Sequence, residues 1–167
     1  MSACFKTSRK GFTLIELVVT VAIVAILASV AMPMLQLSVQ RVKESELRTN
    51  LRQIREALDA YKKAVDEGRI KKTIEQSGYP PNLTVLVDGV LDEKDPNKHK
   101  LKFLRKVPTD PMSSPSQNAN NYGDSGHHWG LRSYASEASN PTEGEDVFDV
   151  YSLSQQVGIN GIPYSQW

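Results

Sequence analysis

Residues 10–16 of the chain read Lys10-Gly11-Phe12-Thr13-Leu14-Ile15-Glu16, and an apolar run follows them directly. This run, residues 17–40, contains 24 residues without a charged side chain. As a helix it would extend about 36 Å, at about 1.5 Å per residue, and a membrane's hydrocarbon core is about 30 Å thick. The run also exceeds the apolar core of a signal peptide, which is about 7–15 residues long. The pattern therefore predicts a membrane-spanning helix that stays with the protein.

A single acid, Glu16, lies among the apolar residues at the start of this predicted helix. A carboxylate is costly in lipid, so it either reaches the membrane surface or needs a partner. Cleavage between Gly11 and Phe12 would create such a partner, because it frees an α-amino group at Phe12. That amine could neutralise Glu16 of the same chain or of a neighbouring chain, and the second arrangement links subunits into a polymer.

The segment from Lys10 to Leu17 resembles the N-terminal signature of type IV pilins and type II secretion pseudopilins. The shared features are a basic leader, a Gly-Phe step, a lone acid and a long apolar run. The resemblance implies that a prepilin peptidase cuts between Gly11 and Phe12, that the new N-terminus at Phe12 is methylated, and that Glu16 guides filament assembly.

A proline at the position of Pro33 is also typical of this family. Proline lacks a backbone N–H and clashes with the preceding helical turn, so Pro33 predicts a kink in the helix. Two interpretations remain open. The kink is either a harmless feature tolerated in a membrane segment, or a flexible point that lets helices pack or locally melt inside a filament.

These features divide the chain into a leader (residues 1–11), a transmembrane and filament-core helix (residues 12–37) and a periplasmic globular head (residues 38–167). The head includes the amphipathic half of the helix. Basic residues favour the cytoplasmic side, so the leader places the N-terminus there before cleavage, in a single-pass protein of the bacterial inner membrane. Removal of the leader takes away three cations and changes the formal net charge from +1 to −2. This charge gives no reason to expect a nucleic-acid partner. The only cysteine, Cys4, lies in the leader, so no disulfide is expected in the head.

An apolar stripe extends the predicted helix beyond the membrane segment. Its members recur three or four positions apart: Leu47, Leu51, Ile54, Leu58, Tyr61 and Val65. The spacing predicts one continuous helix over residues 12–67, ended by Gly68. The stripe spans fewer than three heptads, so we expect it to pack against the head rather than form a coiled coil. The other faces of the helix carry charged residues: Arg41, Lys43, Glu44, Glu46, Arg48, Arg52, Arg55 and Glu56.

The end of the chain has the pattern of β-structure. Residues 129–135 alternate, with Trp129, Leu131 and Ala135 on one face, and residues 146–153 are rich in Val, Phe and Tyr. We expect two antiparallel strands joined by the loop 136–145, and a tail, residues 158–167, that folds back on the head. With the helix stripe packed on one face of this sheet, the fold class is α+β, with a pilin-like long helix and a small C-terminal sheet.

The sequence between the helix and these strands predicts mainly loops. A short helix is expected over residues 83–87, started near Asn82. Residues 92–100 are highly charged and expected to be exposed, residues 108–111 form a proline-rich corner, and residues 113–126 have the composition of a long loop.

This second half resembles the major pseudopilin branch of the family. The matching motifs are Tyr79-Pro80, Val107-Pro108-Thr109-Asp110-Pro111, Phe148-Asp149-Val150-Tyr151-Ser152-Leu153 and a glycine-containing tail that ends in Trp167. The resemblance implies a structural subunit that polymerises into a pseudopilus and drives protein export across the outer membrane. The implied partners are copies of itself, prepilin peptidase, the inner-membrane assembly platform, minor pseudopilins and the membrane.

Two other functions remain open from the sequence. The first is a type IV pilus subunit for adhesion, motility or DNA uptake. Such pilins often carry a C-terminal disulfide, which this chain cannot form, so the pseudopilin is favoured. The second is a membrane-anchored periplasmic binding module that never polymerises, and cleavage after Gly11 would argue against it.

Members of the pseudopilin branch typically bind calcium in the loop after the last strands. Here that loop begins Ser154-Gln155-Gln156-Val157, and residues 150–167 contain no Asp or Glu. Calcium prefers several hard oxygen ligands, usually including carboxylates. The nearest candidates are Asp146 and Asp149, with Glu143 and Glu145 close in sequence, and we expect no retained calcium site.

No other pattern in the chain indicates a catalytic or metal site. His127 and His128 are adjacent, so in a strand they would point to opposite faces and could not bind one ion together. Asp110 and Asp149 are expected to be capping and strand-surface residues rather than a catalytic pair. We therefore expect no enzymatic activity and no cofactor.

Overall fold

The computed structural model describes residues 11–113 and 129–167, without the side chains of residues 30–33. The first ten residues of the leader, most of the predicted loop 113–126 and the His127-His128 pair lie outside the described residues. The chain divides into two units, the first ending at Gln40 and the second beginning at Arg41. The α+β fold class is confirmed, with one long helix and small antiparallel sheets.

Helix α1 spans Leu14–Asp66, 53 residues, close to the predicted 12–67. The helix ends here because of the backbone conformation of Gly68. Gly68 has a φ of 71°, a backbone angle that residues other than glycine rarely adopt. This turn lets the Gly68 N–H donate to the Val65 carbonyl and the Arg69 N–H donate to the Ala64 carbonyl, both at 2.9 Å. The pair of bonds is a Schellman motif, which satisfies carbonyls at the helix end.

A short helix and a two-residue strand pair follow. Helix α2 spans Thr84–Asp88, and the Asn82 side chain accepts from the Val85 N–H at 3.1 Å, so the prediction of a helix started near Asn82 is confirmed. Strands β1 (Val90–Leu91) and β2 (Lys100–Leu101) pair antiparallel.

The prediction that residues 92–100 are exposed is wrong for Asp92. The Asp92 side chain is buried, and its Oδ2 accepts from Nε and Nη2 of Arg69 at 3.0 and 2.6 Å. The hydrogen bond from Arg69 lowers the pKa of Asp92 below its ordinary value. Pairing with an arginine 23 positions earlier is what permits this acid to be buried.

Strands β3 (Trp129–Arg132) and β4 (Asp149–Ser152) form the second antiparallel pair, with Trp129 opposite Ser152. This pairing confirms the predicted topology, although both strands are shorter than predicted and Ala135 is exposed beyond β3. The ladder ends at Arg132, and beyond it the Asp146 carboxylate accepts from the Ser133 hydroxyl and the Tyr134 N–H, at 2.6 and 3.0 Å. The Ser133 N–H donates to the Thr142 carbonyl at 3.0 Å, so beyond Arg132 the chain bonds to the loop between the strands and to Asp146.

Within this sheet, Gly130 lies opposite Tyr151. A Cβ at position 130 would lie 2.3 Å from the Tyr151 ring, so only glycine lets that ring lie across the strand.

The hydrophobic core lies between the second half of α1, the small sheets and the tail. All six stripe residues are buried, with between 0% and 7% of each residue exposed: Leu47, Leu51, Ile54, Leu58, Tyr61 and Val65. Residues Leu86, Val107, Trp129, Val150 and Tyr164 pack with them in one cluster. Tyr164 is fully buried, which confirms that the tail folds back on the head.

Asp110 lies in this core rather than at the surface. It is 2% exposed, its Oδ2 accepts from the Ser152 hydroxyl at 2.6 Å, and its Oδ1 accepts from the Met112 N–H at 2.8 Å. Asp110 Oδ1 therefore has the predicted capping role, while Oδ2 links the proline-rich corner to Ser152 of β4.

Candidate functional site

The N-terminal segment has the geometry of a capped helix start. Residues 11–13 precede α1, and the Thr13 hydroxyl accepts from the Glu16 N–H at 3.3 Å. Thr13 thus caps the helix, and Glu16 occupies the third helical position. The spacing from Thr to Glu is that of a capping box, and a carboxylate there also lies at the positive end of the helix dipole. Glu16 therefore has a local reason for its position that is independent of any partner.

The first half of α1 exposes an apolar surface. Every side chain from Gly11 to Ser29 is exposed, Phe12 by 83% and Leu14 by 81%. Within the described part of the chain, α1 is the helix long and apolar enough to cross a membrane, with a mean hydropathy of 2.7 over 18 residues. Leu, Ile and Val side chains each gain about 1.5–3 kcal/mol on leaving water, so this surface favours lipid or other chains as its surroundings.

The backbone of α1 continues through position 33. A helix broken at Pro33 is therefore not observed, and the kink predicted there stays a prediction. The pairing of Glu16 with an amine also stays a prediction, because in the uncleaved chain Phe12 is joined to Gly11 by a peptide bond.

Glu44 was assigned to the polar face of the helix, and this assignment is wrong. The residue is 7% exposed, and its Oε1 accepts from the Ile159 N–H at 2.8 Å and from the Tyr164 hydroxyl at 2.9 Å. The tail covers it and supplies the hydrogen bonds that a buried carboxylate requires. A signal was present in the sequence, because Glu44 lies three positions before Leu47 and so extends the apolar stripe.

Arg55 was likewise expected on the outer face, but it is half-buried and joins α1 to two parts of the head. Its Nε donates to Asp149 Oδ1 at 2.7 Å, and its Nη2 donates to the carbonyls of Val150 and Trp167 at 3.3 and 2.9 Å. Arg132 contacts the other oxygen of Asp149, with Nη2 at 3.2 Å. The partners of Arg55 are about a hundred positions away, so no local pattern could identify them.

The two calcium candidates lie in different hydrogen-bond networks. The Asp146 carboxylate accepts from the hydroxyls of Ser133 and Ser77 and from the Tyr134 N–H. Desolvation raises the pKa of Asp146, but these hydrogen bonds outweigh it and bring the pKa below its ordinary value. The Asp149 carboxylate is occupied by the guanidinium groups of Arg55 and Arg132.

These side chains do not fit a calcium site. Their oxygens accept hydrogen bonds from the protein itself, and the loop after β4 carries no acid. Within residues 11–113 and 129–167, no group of three or more His, Cys, Asp or Glu side chains could hold a metal ion.

Known proteins match both the N-terminal segment and a longer part of the chain. The family model described as "Prokaryotic N-terminal methylation motif" matches residues 6–32. The type II secretion system core protein G of Pseudomonas aeruginosa is 30% identical over 116 residues, which are 67% of this chain and 74% of the relative. The chain belongs to the family of this protein. The core protein G of Aeromonas hydrophila is 29% identical over 113 residues, 67% of this chain and 73% of the relative.

Type IV pilins share a shorter part of the chain. The type IV major pilin protein PilA of Myxococcus xanthus is 48% identical over 48 residues, which are 29% of this chain and 22% of the relative. No solved structure matches the chain. The resemblance to the major pseudopilin is thus confirmed, and the core protein G family is one of structural pseudopilins rather than enzymes.

Proposed function

We propose that this core protein G homologue is cut by prepilin peptidase between Gly11 and Phe12, is methylated at Phe12, and polymerises into a pseudopilus that drives protein export. The observation that carries the proposal is the first half of α1. An exposed apolar helix with one acid, Glu16, begins three residues after Gly11 and leads directly into a folded head.

The exposed helix accounts for two successive locations of the subunit. Before assembly, lipid covers residues 12–37, with the head in the periplasm and the helix crossing the inner membrane once. In the filament, the same surfaces of neighbouring helices cover each other. Because lipid is as apolar as Leu, burial alone favours neither location strongly.

The electrostatic pairing of Glu16 supplies the preference for the filament. A carboxylate and an α-amine both lose hydration away from water, and each is stabilised by the other when they meet. A charged amine at Phe12 lies at the positive end of its own helix dipole, which destabilises the charge. The carboxylate of a neighbour's Glu16 would stabilise this charge. Each subunit then satisfies the next, which fixes the stacking register.

The remaining partners of the proposal are those that the pseudopilin family implies. Prepilin peptidase removes the leader, the inner-membrane assembly platform adds subunits, and minor pseudopilins contact the growing filament. A type IV pilus subunit is the second candidate, because 48 residues of the chain are 48% identical to the Myxococcus xanthus pilin.

Deletion of the corresponding gene separates these two functions. We expect secreted enzymes to accumulate in the periplasm, surface pili and twitching motility to remain unchanged, and plasmid-borne wild-type chain to restore export. The matched control is deletion of a type IV pilin gene of the same bacterium, which should give the opposite pattern. Normal export together with loss of pili would assign the chain to the type IV pilus instead.

A further inference from the structure

The tail (residues 158–167) is held against α1 by arginine side chains. Arg55 bridges Asp149, the Val150 carbonyl and the Trp167 carbonyl. We call this set of contacts the Arg55 bridge. Two turns of α1 earlier, the Arg48 guanidinium lies 4.4 Å from the centre of the Trp167 ring, a cation–π contact. Strand β4 and the end of the tail are therefore joined through side chains of one helix.

The Arg55 bridge makes the kinds of contact that a bound calcium ion makes. A calcium ion in a loop is ligated by carboxylate and carbonyl oxygens, and so joins chain segments that would otherwise separate. Arg55 contacts one carboxylate oxygen and two backbone carbonyls, each of which would be a suitable calcium ligand. A guanidinium with five donors in a fixed geometry is well suited to such a set.

The charge around the bridge also disfavours a divalent cation. Two guanidinium groups, from Arg55 and Arg132, share the single carboxylate of Asp149. Residues 150–167, from β4 through the tail, contain no Asp or Glu. A calcium ion at this position would lie close to the guanidinium groups of Arg55 and Arg132, so repulsion from these two groups would oppose its binding.

We propose that Arg55 replaces calcium in holding the tail of this pseudopilin, so that its head folds and stays intact without the ion. The proposal concerns the head alone and is independent of whether the chain secretes proteins or forms pili.

The test uses the full chain extracted from membranes in detergent, with thermal unfolding followed by tryptophan fluorescence. For the wild-type chain we expect the same midpoint in excess EDTA and in excess calcium chloride, and no heat of binding when calcium chloride is titrated. A higher midpoint in calcium chloride, or a lower one in EDTA, would overturn the proposal. This comparison remains decisive even if a variant fails to fold.

Substitution of Arg55 tests the bridge itself. Arg55→Gln should lower the midpoint by roughly 5 °C or more, because it removes a charge-assisted bond and leaves carbonyls unpaired. It should also raise the rate of chymotrypsin cleavage after Tyr164 by about tenfold, because the tail opens more often. Arg55→Lys, which keeps the charge but not the forked geometry, should give intermediate values.

Arg52→Gln is the matched control, since Arg52 is an exposed arginine of the same helix. It should leave both the midpoint and the cleavage rate at the wild-type values. Equal behaviour of Arg55→Gln and Arg52→Gln would contradict the bridge.

Discussion

Replacement of Glu16 by alanine is expected to abolish filament assembly while leaving membrane insertion and leader cleavage unchanged. Insertion depends on the apolar surface of α1, which the substitution extends. Cleavage depends on the bond between Gly11 and Phe12, which it does not touch. In a filament of this variant, however, the Phe12 amine of each subunit would be buried without a partner, at a cost of several kcal/mol per subunit.

The measurement is the amount of sheared or cross-linked filament, normalised to the cleaved subunit in the membrane. We expect at least a tenfold loss, because about 1.4 kcal/mol per subunit already changes an assembly equilibrium tenfold. Glu67→Gln removes an exposed carboxylate just after α1 and should assemble normally. Normal filament from Glu16→Ala would refute the role assigned to this acid.

Truncation of Ile54 to alanine is expected to give the largest loss of stability in the head. Ile54 is fully buried at the centre of the apolar stripe, between Leu51 and Leu58. Removing three carbon atoms there leaves a cavity in the cluster, and such substitutions cost about 2–5 kcal/mol. A domain of marginal stability, about 5–15 kcal/mol, would lose a large fraction of its stability.

Urea unfolding followed by tryptophan fluorescence measures this loss. Val42→Ala is the control, because Val42 is 66% exposed on the same helix and its truncation leaves the core unchanged. It should alter the free energy of unfolding by less than about 0.5 kcal/mol. If Ile54→Ala had an equally small effect, the stripe would not be the support of the head.

The sequence contained enough local information to predict the long helix. Its apolar residues recur with one period, and Gly68 marks an end that the Schellman bonds of the structure explain. The antiparallel strands and the folded-back tail were also predictable, since β-branched and aromatic residues alternate there between turn-forming segments. Strands β1 and β2 were missed because two residues each carry no periodic signal.

The parts that the sequence analysis missed are long-range pairs of polar side chains. Glu44, Arg55 and Asp92 were all placed on exposed surfaces, because each carries a charge. Their burial depends on partners between 23 and 120 positions away. A charge is tolerated in the interior only when such a partner exists. The spacing of Glu44 from Leu47 indicates its burial, but no local pattern identifies the distant partner of any of the three residues.

The central claim is that the chain is a pilin-like precursor whose mature form begins at Phe12. Intact-mass and N-terminal analysis of the membrane-extracted protein, from cells with and without prepilin peptidase, tests it most directly. With the peptidase, we predict a chain that lacks residues 1–11 and carries one methyl group on the Phe12 amine. Without the peptidase, the chain should begin in the leader. An uncleaved, unmethylated chain in both cells would contradict the account and leave a membrane-anchored domain in which Glu16 has no amine to pair with.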